Sequence, residues 1–166
     1  MSSNETIFQA AENGNIKSLS ALLATKADIN ARDPNLQTPL HRAARSGQSR
    51  AVLMLLENNA AVNLEDANYL TPLHMTAISG HSDAVHALVT AKAALDPKDP
   101  SHQTPLYYAA WNGHSAALLV LLAAKAAVDT KDNSSLTPLH RAAASGHTEC
   151  VHILLDAKAP VDVYDR

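Results

Sequence analysis

The sequence predicts an all-α repeat solenoid, and three observations carry the prediction. Its five glycines, Gly14, Gly47, Gly80, Gly113 and Gly146, follow one another at intervals of 33 residues. The tetrapeptide Thr38-Pro39-Leu40-His41 returns at the same interval as Thr71-Pro72-Leu73-His74, Thr104-Pro105-Leu106-Tyr107 and Thr137-Pro138-Leu139-His140. Ala and Leu carry the apolar count of 46%, while aromatic residues make up only 4%. That composition favours closely packed helices over a β-sandwich. A fixed period of this length is the mark of a stacked array. The frame divides one domain, residues 1–166, into repeats 5–37, 38–70, 71–103, 104–136 and 137–166.

Each unit reads as helix, turn, helix. Thr38 is a good N-cap, because its hydroxyl can accept an orphan amide of the first turn. Pro39 follows at the first helical position, where a missing N–H costs nothing. Ala43 and Ala44 lie inside a short helix whose small side chains allow close approach. Gly47 stands where that helix stops, a position that commonly needs positive φ. The second helix carries apolar residues at 51, 52, 55 and 56, the spacing of one helical face. Leu22-Leu23, Leu55-Leu56, Leu88-Val89, Leu121-Leu122 and Leu154-Leu155 repeat that face. Polar, turn-rich stretches follow at 30–37, 63–70, 96–103 and 129–136. A unit this small cannot bury its own apolar face, so neighbours must stack.

The 33-residue period, Thr-Pro-Leu-His followed by Ala-Ala and Ser-Gly-His, and the closing Ala-Val-Asn resemble the ankyrin repeat over residues 5–166. The resemblance implies β-hairpin fingers at right angles to paired antiparallel helices. It further implies a curved stack with fingers and first helices on the concave side. One departure recurs. Where the family usually has Gly after the second helix, this chain has Lys26, Asn59, Lys92, Lys125 and Lys158.

The ends differ from the middle. The first unit lacks Thr-Pro and places Ser18 where Ala51, Ala84, Ala117 and Cys150 stand later, as an N-terminal cap would. The fifth unit keeps the interior pattern, including Ala142, Ala143, Val151 and Leu154, and residues 161–166 open another finger. A longer parent protein, or an end covered by a partner, is the expectation there.

Several function classes drop out. A net charge of −3 and 17% charged residues indicate neither a nucleic-acid binder nor an acidic tail. The longest apolar run, Ala116 to Ala124, is about half of a membrane span. The single Cys150 excludes an intramolecular disulfide and suits a reducing compartment, so a cytoplasmic location is expected, with the nucleus open. His41, His74, His140, His81, His114 and His147 occupy repeat positions. Equivalent residues of stacked helices lie about 8–10 Å apart, whereas ligands of one zinc lie about 2 Å from it. These histidines are therefore expected to bond backbone, and no metal or cofactor is expected. The recurring Asp33, Asp66, Asp99 and Asp132 read as carboxylates bonded to turn amides. No Gly-x-Ser-x-Gly, phosphate loop or dinucleotide fingerprint occurs, so the chain is not expected to be an enzyme.

Function in a repeat protein lies where the units disagree. Positions 42 and 45 share a helical face, and in the ankyrin family that face looks into the concave groove. Down the array the stripe reads Gln9/Glu12, Arg42/Arg45, Met75/Ile78, Tyr108/Trp111 and Arg141/Ala144. Nearby fingers add Tyr69, Leu70 and Lys98. The central apolar residues are either buried by neighbouring units or form an exposed patch, and an exposed patch marks an interaction site. Trp, Tyr and Arg dominate binding energy at interfaces. The favoured reading is a protein-interaction module taking an extended peptide or loop with an apolar anchor and an acidic residue. The alternatives are a spacer that self-associates end to end through repeat 5, and a regulatory array of a larger protein.

Overall fold

In a computed structural model describing residues 5–161, each first helix begins at a threonine. The hydroxyls of Thr6, Thr38, Thr71, Thr104 and Thr137 each accept the amide three residues on. The first helices are α1 (Ile7–Glu12), α3 (Pro39–Arg45), α5 (Pro72–Ser79), α7 (Pro105–Trp111) and α9 (Pro138–Ala144). The second helices are α2 (Ile16–Ala24), α4 (Ser49–Glu57), α6 (Ser82–Thr90), α8 (Ser115–Ala123) and α10 (Thr148–Asp156).

First helices pack in series, α1 on α3 on α5 on α7 on α9, and second helices form a parallel series behind them. The first series packs more closely than the second. Alanines explain the difference: Ala10, Ala43, Ala77, Ala109 and Ala142 are fully buried between first helices. The second helices interpose Leu19, Leu55, Leu88, Leu121 and Leu154, also fully buried. Small residues on one side and larger ones on the other curve the stack with the first helices inside. Cys150 is a free thiol filling the place of an alanine in this core.

The turn between the helices needs glycine twice over. Gly47 has φ +67°, and a Cβ there would lie 2.5 Å from the Nδ1 of His81 in the next unit. His114 and His147 cover Gly80 and Gly113 in the same way, and Gln48 covers Gly14. The second helices end with Lys26, Asn59, Lys92, Lys125 and Lys158 at φ between +62° and +75°. The left-handed geometry expected of glycine is thus kept without glycine.

The fingers depart from the expected β-hairpins, since no strand occurs among the described residues. Each is a turn closed by two backbone bonds, such as Asp33 N–H to the Gln37 carbonyl at 3.0 Å and Leu36 N–H to the Asp33 carbonyl at 2.8 Å. The aspartate explains why no ladder is needed. Oδ1 of Asp33 accepts the Asn35 and Gln37 amides at 2.8 and 2.9 Å. Asp66, Asp99 and Asp132 repeat the arrangement. The residue after the turn, Leu36, Tyr69, His102 or Ser135, is left-handed, with φ near +60°.

Candidate functional site

In the second and third units the histidine of the Thr-Pro-Leu-His motif is a structural strut. Nδ1 of His41 accepts the Thr38 amide at 3.1 Å, so the proton resides on Nε2, which donates to the Leu70 carbonyl of the next finger at 3.0 Å. His74 does the same between Thr71 and Gln103, at 3.1 and 3.3 Å. Burial pushes the pKa of His41 down, and that of His74 down to about 4. The histidines at the start of the second helices bond backwards. Nε2 of His114 reaches the Ile78 carbonyl and that of His147 the Trp111 carbonyl, both at 3.0 Å. No cluster of metal-ligating side chains occurs among the described residues.

The fourth unit breaks the pattern with Tyr107. Its buried hydroxyl donates to Oδ2 of Asp132 and accepts from Nε of Arg141. A second Arg141 nitrogen donates to the same Asp132 oxygen at 3.0 Å. Burial and the Asp132 bond push Tyr107 up to about 12. Burial works against ionisation of Asp132, but the Tyr107 bond, the turn amides and Arg141 outweigh it and hold the carboxyl below its ordinary range.

Above this network lies an aromatic platform. Tyr108 and Trp111 stack with centroids 6.2 Å apart and planes 17° apart, one helical turn from each other on α7. Tyr107 meets Trp111 edge-on at 6.1 Å. The Arg141 guanidinium lies 5.0 Å from the Trp111 ring, within range of a cation–π attraction. The Tyr108 hydroxyl donates to Oδ2 of Asp99 at 2.7 Å, and burial with that bond raises its pKa. Trp111 nevertheless keeps 38% of its surface exposed.

The remaining stripe residues divide. Met75 is only 7% exposed, so the apolar stripe expected across two units is interrupted there, because α5 is flanked by α3 and α7 and buries Met75 among them. Ile78 and Leu70 are half-buried. Arg42 is bound to Asp33, at 3.1 Å from Nε and 2.5 Å from a terminal nitrogen, and lies 3.5 Å from Glu12. The Asp33 bond raises the pKa of Arg42. Burial opposes ionisation of Asp33, yet Arg42 and the turn amides leave its pKa lowered. Arg45 is exposed, and no side-chain partner holds it among the described residues. Tyr69 and Lys98 project from their fingers, Tyr69 with 56% of its surface exposed. Tyr69 joins Leu36, Arg32 and Glu65 in lining an open cleft of about 430 Å³ between the first two fingers.

Sequence reasoning missed Asp132 and Tyr107 as partners of the groove. The signal was Tyr107 itself, the one departure from His in four otherwise matching tetrapeptides. It also missed that the finger aspartates have a second oxygen to spend, on Arg42, Tyr108 and Arg141 in turn.

Ten helices among the described residues, in serial pairs with a finger between units, define a helical repeat protein. Family models agree over nearly the whole chain: ankyrin repeats in many copies match residues 7–56, ankyrin repeats in three copies match 61–132, and a single ankyrin repeat matches 135–166. The chain belongs to the ankyrin repeat family. Ankyrin repeats are generally protein–protein interaction modules, and the family is generally non-catalytic. A search of curated proteins found no significant match. No helix among the described residues is long and apolar enough to cross a membrane.

Proposed function

We propose that the chain binds an extended peptide or loop of another protein along the face of its first helices, centred on Trp111 and Tyr108. The carrying observation is the platform itself. A stacked Trp–Tyr pair, backed by the Arg141–Tyr107–Asp132 network, stays accessible in the middle of the array. Rigid aromatic surface gives contact area at low cost in side-chain entropy. Arg42 and Arg141 are neutralised by Asp33 and Asp132. Arg45, together with Lys98, is left to meet an acidic residue of the partner. Tyr69 and Leu70 extend the same face toward the fingers.

The test is capture of binding proteins by the chain, by Trp111→Ala and by Tyr108→Phe, with urea unfolding run on each. Trp111→Ala should lose its partners while its stability falls by about 1 kcal/mol or less, as expected for a partly exposed side chain. Normal capture with strong destabilisation would make Trp111 a packing residue and remove the groove reading.

A further inference from the structure

The outer face of the second helices carries apolar residues that no neighbouring unit covers. α8 has no charged residue, and a helix apolar all round is ordinarily buried on every side. It packs against α6, α7 and α10, yet Ala116, Leu119 and Ala123 remain exposed, Leu119 with 51% of its surface. Leu53 of α4, at the equivalent position two units earlier, is 46% exposed. Beside it an open depression of about 240 Å³ lies between α2 and α4, lined by Ile16, Arg50, Leu53, Met54 and Glu57. Both leucines sit in units that have a neighbour on either side, so their exposure does not depend on the ends of the stack.

The residues of this face are placed with a two-fold symmetry. Leu53 and Leu119 each lie one unit from His86, the exposed residue at their position on α6. The second helices run parallel to one another. A two-fold axis through His86, perpendicular to the face, therefore exchanges the second unit with the fourth and the first with the fifth, and reverses helix direction. Applied to a second copy, it sets Leu119 against Leu53 and the depression beside it, twice over. It brings Lys26, just past α2, to Glu149 at the start of α10, and Lys17, at the start of α2, to Asp156 at the end of α10. Asp83, at the start of α6, meets Lys92 just past the end of the same helix. All these charged side chains are exposed, and none is in an ion pair among the described residues. The like-charge approaches are Arg50 with Lys125 and Lys17 with Lys158.

We infer that this face pairs two copies of the chain about that two-fold axis. Leu119 of each copy enters the depression beside Leu53 of the other, and removal of this apolar surface from water supplies the attraction. The exposed charge pairs fix the register more than the affinity. The contact is isologous, so it closes at two copies. It lies on the outside of the curved stack, where the second to fourth units touch most closely and the long lysine side chains reach across at the first and fifth. The contact area is small and the dimer is accordingly weak. The aromatic platform, on the first-helix side, stays open in the pair.

Sedimentation equilibrium of the full chain, from about 10 μM to about 1 mM, brackets a weak association. It should show a reversible monomer–dimer equilibrium with no larger species. Leu119→Glu, at an exposed site, should keep the urea midpoint of the monomer and raise the dimer dissociation constant at least about tenfold. Asp83→Lys reverses one side of a pair that the axis makes twice, and should weaken the dimer by about fivefold or more. Adding Lys92→Asp to Asp83→Lys should restore it. A chain that stays monomeric throughout, a Leu119→Glu variant that dimerises as the unaltered chain does, or a charge swap that restores nothing would overturn the proposal. So would association that survives Leu119→Glu but is lost in Leu155→Glu, because the copies would then meet through the fifth unit.

Discussion

Tyr107 donates its hydroxyl proton to Asp132 at the position where the second and third units place a histidine against a finger carbonyl. The substitution changes what the strut touches. An imidazole reaches backbone and is indifferent to the finger's sequence. The longer phenol reaches the finger's carboxylate, and so couples α7, the fourth finger and Arg141 of α9 into one network. That network holds the guanidinium over Trp111.

Tyr107→Phe tests the coupling. It keeps the buried ring but leaves the Asp132 and Arg141 groups one partner short. A buried bond to a charged group contributes about 1.5–3 kcal/mol. The expected loss of stability is about 2 kcal/mol in urea unfolding at unchanged slope. Tryptophan fluorescence should also change, since the ion over Trp111 loses one of its two anchors and keeps only Asp132. A loss below about 0.5 kcal/mol would show that Asp132 and Arg141 satisfy one another without the phenol.

Much of this was legible beforehand. Thr38-Pro39 and Gly47 announce a cap and a left-handed stop because those chemistries are local, and repetition at 33 residues removes chance. The fingers were less legible. Hairpins were expected, but Asp33 replaces ladder bonds with side-chain bonds, and a carboxylate two and four residues before its amides looks the same in either geometry. The groove was least legible. Met75 and Trp111 are both large, apolar-rich residues of the stripe, and only the packing of neighbouring helices decides that one is buried and the other open. Arg42 and Arg141 looked free in sequence because their partners, nine residues earlier, sit in a separate element.

Stability should fall as pH drops from neutral toward 4. His41 and His74 are neutral in the fold, with pKa values pushed below the ordinary 6.5, to about 4 for His74. The unfolded chain binds those protons first, so stability is fully present above about 6.5 and declines below it. The decline from His74 alone is at most about 3 kcal/mol and is complete near pH 4. Asp33 and Asp132, whose pKa values are lowered, add a second loss only as pH falls through the acid range below 3.8. Urea midpoints measured from pH 7 to 4 should slope downward, and His74→Gln should flatten the slope. A flat profile for the unaltered chain would mean that these rings titrate normally.

The two arginines of α3 should behave differently. Arg42→Ala strips Asp33 of its ion pair and should cost about 1 kcal/mol, the scale of a partly exposed pair. Arg45→Ala removes an unpaired surface charge and should stay within about 0.5 kcal/mol. For an acidic partner the order reverses: Arg45→Ala should lower the association rate and weaken its salt dependence, and Arg42→Ala should do so less. Stopped-flow binding at two ionic strengths distinguishes them. Equal effects on rate would mean that the Asp33 pairing does not mask Arg42.

Glycine should help in one kind of turn and is indispensable in the other. At Gly80, φ is +78° and a Cβ would lie 2.5 Å from Nδ1 of His114, a ring fixed by its bond to the Ile78 carbonyl. Gly80→Ala therefore combines left-handed strain of about 1–2 kcal/mol with displacement of the ring, for an expected loss of about 3 kcal/mol. At Lys92 and Lys125, φ is +65° and +75°, both side chains are exposed, and the Cβ strain is already being carried. Lys92→Gly and Lys125→Gly relieve about 1–2 kcal/mol of that strain. They also enlarge the freedom of the unfolded chain, which offsets roughly 0.4–1 kcal/mol. The net gain is about 0–1.5 kcal/mol. Asn59→Gly should be near zero, because Asn tolerates the left-handed region best among residues with a Cβ. Internal units report such changes well, since each shares its stability with both neighbours. The measurement is the urea midpoint of the four single variants at unchanged slope. Destabilisation by both lysine substitutions would show that the lysine stems stabilise the ends of α6 and α8 by more than the backbone strain they impose.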